Sequence, residues 1–263
     1  ADGGRGAVDV DVVDVFGLEV GVVEGVLHRE DGAEAFGVGG GQMVSIGRHS
    51  SAGYFGVDLG AACQGMLELL KKAPSTFWTV GLVQFFCWAA FLYMWTYTNG
   101  AIADTVWGTT DVKSEGYQTA GNGVGILFAL QSVGSVLWAL VIPKFKDIKV
   151  AYVLSLLIGA VGFASVFFLH NQYALIASFL LIGAAWAAML AVPFTLLTNS
   201  LSGEHIGTYL GLFNGTICLP QIAAAACGGL VLKMVGGAQV SMFLVAGVLL
   251  VLGAVAVRFV KAK

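Results

Sequence analysis

Between residues 77 and 263 the chain is almost wholly six apolar segments of membrane-spanning length: 77–98, 120–142, 149–168, 173–198, 207–232 and 238–260. A hydrocarbon core of about 30 Å is crossed by about 20 residues rising about 1.5 Å each in a helix. Lipid offers no hydrogen bonds to bare backbone, so a crossing segment must be a helix or a strand of a closed barrel. Barrel strands alternate in polarity over about 10 residues, whereas these segments are longer and continuously apolar. The expected fold class is an all-α integral membrane protein with six transmembrane helices. Only 11% of the residues are charged, against about 25% in an ordinary soluble domain.

The charges also fall in a pattern. Of the 16 acidic residues, 11 precede residue 77, and the other five (Asp104, Asp111, Glu115, Asp147 and Glu204) lie at or between span ends. The net charge of −3 is thus a property of the N-terminal segment and gives no reason to expect a nucleic-acid partner. With six crossings, Lys71, Lys72, Lys144, Lys146, Lys149, Arg258, Lys261 and Lys263 share one side, against Lys113 and Lys233 on the other. Positive charge marks the cytoplasmic side. The bundle is therefore expected in the inner or plasma membrane, with both of its ends cytoplasmic and the 102–119 connection outside.

Residues 1–65 are different material, holding 16 of the 37 glycines and repetitive Gly/Val/Asp runs. Alternation near Val8–Val15 hints at a strand, but little apolar surface exists to bury it. The segment reads either as a disordered acidic tail or as the mistranslated product of GC-rich DNA, with Met43 or Met66 as the nearest genuine start. Residues 66–76 are expected to form a short, basic, amphipathic linker helix on the cytoplasmic surface, stopped at Pro74. The cysteines form no CxxC or Cys/His cluster, so neither a disulfide framework nor a metal site is expected. Cys87, Cys218 and Cys227 read as buried thiols acting as small hydrophobes. No Ser-His-Asp or paired-carboxylate arrangement points to an enzyme.

The informative chemistry is polar, uncharged and deep. Gln84 and Trp88 lie one turn apart in the first span, Gln131 and Trp186 at the middle of the second and fourth, and Asn214 and Gln221 on one face of the fifth. Tryptophan ordinarily prefers the interface, and amides at the bilayer centre need partners or a water-filled cavity. Amides that bond hydroxyls and an indole that stacks on a C–H face are what a sugar site requires. The competing reading is interhelical glue at roughly 1 kcal/mol each. Pro193 and Pro220 fall inside spans and leave carbonyls without their usual donors. Gly207 and Gly211 form a GxxxG pair that would let helices approach and slide. These four are the candidate bending or gating positions.

Val192 to Gln221 carries more than composition. Pro193-Phe194-x-Leu196, followed by Leu210-Gly211-x-x-Asn214-x-x-Ile217-x-x-Pro220-Gln221, resembles the tenth and eleventh helices of the sucrose/maltose proton symporter family of the major facilitator superfamily. Val83-Gln84-Phe85-Phe86-x-Trp88 with Phe91, and Trp107-Gly108-Thr109-Thr110-Asp111, resemble the seventh helix and following outer loop of its bacterial members. Tyr97-Thr98-Asn99-Gly100 stands where plant carriers have an acidic motif, which favours a bacterial-type member. The similarity covers residues 66–263 and implies the C-terminal half of a twelve-helix carrier. It further implies sugar:cation symport by alternating access, with H⁺ as the coupling ion and no other cofactor. The implied partners are lipid, a sucrose- or maltose-like glycoside and an N-terminal six-helix half, which would supply the proton-carrying carboxylate. Gln84, Trp88, Gln131, Trp186, Asn214 and Gln221 are the candidate substrate-facing residues. A non-transporting fragment or half-transporter subunit stays open, as does a small-molecule exporter of the same superfamily, which would have an aromatic-dominated midplane.

Overall fold

The computed structural model describes residues 26–30, 33–38, 42–46, 59–201 and 206–260. The chain divides into two units, Ala1–Gly65 and Met66–Lys263. In the first, strands β1 (Val26–Glu30), β2 (Ala33–Val38) and β3 (Gln42–Ile46) form an antiparallel meander in the order β1-β2-β3. Val26 pairs with Gly37, and Glu34 with Ile46. The strand suggested near Val8–Val15 lies outside the described residues.

The second unit is the helical bundle. Helix α1 (Leu59–Lys72), of which only Met66–Lys72 belongs to this unit, begins seven residues before the linker helix read from sequence and ends ahead of Pro74, which stands immediately before α2 (Ser75–Trp107). The remaining helices are α3 (Glu115–Ala139), α4 (Ile148–Phe168), α5 (Gln172–Thr198), α6 (Ile206–Phe213), α7 (Gly215–Met234) and α8 (Ser241–Ala256). Among the described residues, six stretches are long and apolar enough to cross a membrane: α2, α3, α4, α5, α6–α7 and α8, with short 3-10 turns extending α3 and α8.

Local chemistry sets the ends. Ser114, Asp147 and Asn171 cap α3, α4 and α5, their side chains accepting from the backbone N–H groups of Tyr117, Lys149 and Tyr173, as short polar residues do at helix starts. Helix α2 runs nine residues past the expected end of its span and stops at Gly108. That glycine adopts the left-handed conformation (φ 64°), and its N–H bonds the Asp104 carbonyl while Thr109 N–H bonds that of Ala103. This is the paired closure that glycine permits at a helix C-terminus. The Gly-Thr-Thr-Asp run then folds on itself: Lys113 N–H donates to Asp111 Oδ1 at 3.0 Å, and the Thr109 and Ser114 hydroxyls meet at 3.0 Å. The connection expected over 102–119 is thus only 108–114.

The bundle core is built by α2, α4, α5 and α8, with Phe91, Tyr152, Phe163, Phe179 and Phe243 fully buried. The closest approaches use glycine. A Cβ on Gly183 would lie 2.3 Å from the Gln131 carbonyl oxygen, and one on Gly134 would lie 2.4 Å from that of Leu180, so α3 and α5 touch backbone to backbone. Gly162 allows α4 the same contact with α5, at 2.8 Å from the Ser178 oxygen. Hydrogen bonds reinforce these seams: Trp138 Nε1 donates to Ser155 Oγ between α3 and α4, and Ser165 Oγ to Ser178 Oγ between α4 and α5, both at 2.7 Å.

Candidate functional site

Residues 88, 91 and 95 recur at i, i+3 and i+7 across the middle of α2, so Trp88, Phe91 and Trp95 share one face. Trp186, at the middle of α5, meets all three. Its ring centre lies 5.8 Å from Trp88, 5.1 Å from Phe91 and 5.6 Å from Trp95, with the two indole pairs edge to face. Such pairs contribute about 0.5–1.5 kcal/mol beyond area. Phe163 of α4 backs Phe91 at 5.5 Å and is itself backed by Phe243 of α8 at 6.0 Å. Trp88 is 3% exposed and Phe91 fully buried, whereas Trp186 is half-buried and Trp95 is 39% exposed. The patch therefore has a packed back and an open edge. Trp88 Nε1 is buried with no hydrogen-bond partner among the described residues. A group left so costs about 1–3 kcal/mol.

The amides do not all join this patch. Gln84 is fully buried and turned to α4, where Tyr152 Oη donates to its Oε1 at 3.4 Å; its Nε2 has no described partner. Gln131 is buried at the α3–α5 crossing, its Oε1 without a described partner. Its carbonyl touches Gly183, one turn before Trp186, so Gln131 and the indole patch occupy similar depth. Gln221 is half-exposed at the middle of the α6–α7 span, its Nε2 donating to the Ile217 carbonyl of its own helix at 3.1 Å.

Asn214 is exposed and stands where α6 gives way to α7. Its N–H is shared between the carbonyls of Leu210 and Gly211, and Thr216 Oγ1 takes the Phe213 carbonyl at 2.7 Å. A threonine hydroxyl bonded back into the preceding turn bends a helix. The interruption thus falls at Asn214, six residues before Pro220. Pro220 and Pro193 are buried inside α7 and α5, and each removes one helical donor. Gly207 and Gly211 have no described atom within 4 Å of where a Cβ would stand; the close crossings are made by Gly134, Gly162 and Gly183 instead.

Two of the three thiols in the spans differ from expectation. Cys87 is buried, but Cys218 and Cys227 are exposed. Asn214, Cys218, Gln221 and Ala225 follow i, i+4, i+7 and i+11, forming a stripe of small and polar groups beside the apolar stripe of Leu219, Ile222 and Leu230. Sequence reading passed over Cys218 because its depth alone suggested burial. Trp95 was missed too, although its spacing from Trp88 was available as a signal. Among the described residues, no group of three His, Cys, Asp or Glu side chains could hold a metal ion.

Fold and site together define a multi-pass α-helical membrane protein with six candidate spans among the described residues and an aromatic patch near the middle of two of them. No protein-family model matches the chain, and no curated protein is significantly similar to it.

Proposed function

We propose that the bundle is the C-terminal half of a major-facilitator-type carrier that moves a sucrose- or maltose-like glycoside together with a cation, H⁺, by alternating access. The observation that carries this reading is the patch of Trp88, Phe91, Trp95 and Trp186, contributed by two helices at mid-depth and open along one edge. Indole faces offer a stacking surface to the C–H side of a pyranose, and Trp88 Nε1 and Gln131 Oε1 are an unused donor and acceptor at similar depth. The stripe of Asn214, Cys218 and Gln221 supports a polar lining, because such groups are costly against lipid tails. A partner half accounts for the poorly covered faces of α3 and α6–α7. It would also supply the coupling carboxylate, since no acid lies at mid-depth in the described spans. The eight-to-two charge asymmetry supports cytoplasmic ends in the inner or plasma membrane.

A second reading, export of an apolar small molecule, draws on one observation: Gln84 is turned to Tyr152 and leaves the patch largely aromatic. Transport by the complete carrier separates the two. Gln221→Ala should lower uptake of labelled maltose or sucrose at unchanged membrane abundance, whereas unchanged uptake removes Gln221 from the site. Uptake by this chain reconstituted alone would refute the need for a second half.

A further inference from the structure

Two outward grooves lie along the seam of α4 and α8, one at each end, and they differ in charge. The groove at the end of α4 and start of α8 encloses about 430 Å³ among Phe167, Val235, Ser241, Leu244, Val245, Val248 and Leu249, with no cation. The groove at the start of α4 and end of α8 is nearly the same size, about 420 Å³, but places Lys149 and Arg258 at its mouth. Below them Val150, Val153, Leu154 and Leu157 follow i, i+3, i+4 and i+7 down α4, with Val257 on the facing side. The stripe from Lys149 to Leu157 covers about 12 Å of helix rise. Val150, Leu154 and Leu157 are exposed, so nothing among the described residues covers this apolar strip.

We infer that this groove binds one anionic phospholipid, its phosphate between Lys149 and Arg258 and an acyl chain along the α4 stripe. Neither cation forms an ion pair with a described residue. Lys144 and Lys146 lie just before α4, and Lys261 and Lys263 follow Arg258 in sequence. Asp147, two residues before Lys149, is engaged in capping α4, its Oδ1 accepting from the Lys149 N–H at 2.8 Å. A positive head above an uncovered apolar strip, at the level where a transmembrane helix leaves the hydrocarbon, complements an anionic lipid, whereas a soluble anion would leave the strip unused. Basic pockets between transmembrane helices recognise such headgroups, at roughly 1 kcal/mol per cation near an anionic surface. The inference stands whether or not the bundle carries sugar.

The test uses purified protein in neutral detergent with equimolar phosphatidylglycerol and phosphatidylcholine of identical chains, reading retained lipid by native mass spectrometry. Phosphatidylglycerol should be retained several-fold over phosphatidylcholine, and the preference should shrink as salt is raised. K149Q/R258Q should bring that preference close to unity. Leu154→Trp, which fills the strip and leaves both charges, should lower retention of both lipids. The salt series on the unmodified protein keeps the test decisive should either variant fail to fold. Equal retention of the two lipids overturns the inference. So does complete displacement of phosphatidylglycerol by inorganic phosphate, which would mark an anion site without use for the chain. A second copy of the protein seated there in place of lipid overturns it as well.

Discussion

Helix α5 and the α6–α7 segment are built alike, each long enough to span, rich in small residues and carrying a proline, yet they sit in the bundle differently. Of the most apolar stretch of α5, 61% is buried; of that in α6–α7, only 17%. The α5 glycine Gly183 is pressed against the backbone of α3, while in α6–α7 Gly228 packs against Tyr97 but Gly207, Gly211, Gly215 and Gly229 meet nothing within 4 Å. Composition therefore does not decide which small residues pack. In lipid the tails are as apolar as leucine, so close contact comes from van der Waals fit and hydrogen bonds rather than from exclusion of water. A helix that keeps most of its glycines uncovered retains an unused interface. On α7 that interface includes the polar stripe.

The largest expected effect contrasts the two glycine sets directly. Gly183→Leu should cost about 3 kcal/mol or abolish the folded state, because even a Cβ would overlap the Gln131 carbonyl. Gly211→Leu should change stability by less than about 1 kcal/mol. Thermal unfolding in detergent measures both, and equal losses would break the comparison. A second contrast concerns water. A maleimide that enters membranes reacts only with thiolate, which needs an aqueous surrounding. Cys218, on the polar stripe, should label at least about tenfold faster than buried Cys87 in intact membranes. Slow labelling of Cys218 would place that face against lipid. The smallest effect is on a seam of the tight region: Trp138→Phe, which removes the bond to Ser155, should cost about 0.6–1 kcal/mol, measured in the same unfolding assay. No loss would mean that the α3–α4 hydrogen bond contributes nothing net.

Much of the fold was legible in the sequence. Continuous apolar runs between polar connections located all six spans, and Trp186, Gln131 and Gln221 stand near the middle of their helical stretches. Orientation about each helix axis was not legible, for a physical reason: a membrane helix is apolar on the lipid side and on the protein side, so periodicity has little to report. Gln84 illustrates this. Its depth and its spacing from Trp88 were readable, but its partner Tyr152 stands 68 residues away on α4. The close crossings escaped for a related reason. GxxxG at Gly207 and Gly211 is a pattern within one helix, whereas Gly134 and Gly183 match only once α3 and α5 are set side by side. The extension of α2 to Trp107 was hidden by the polar residues Thr98, Asn99 and Asp104, which stay helical until Gly108 allows the left-handed turn.

The most direct test of the aromatic patch as a sugar site is uptake of labelled maltose and sucrose into vesicles bearing the complete carrier, under an inward proton gradient, with and without Trp186→Ala. A sugar carrier should accumulate at least one of the two above equilibrium, and Trp186→Ala should lower uptake by about tenfold or more at equal protein abundance, the loss expected for about 1.4 kcal/mol of stacking. Proton-independent equilibration of both sugars, or unchanged uptake by the variant, would contradict it.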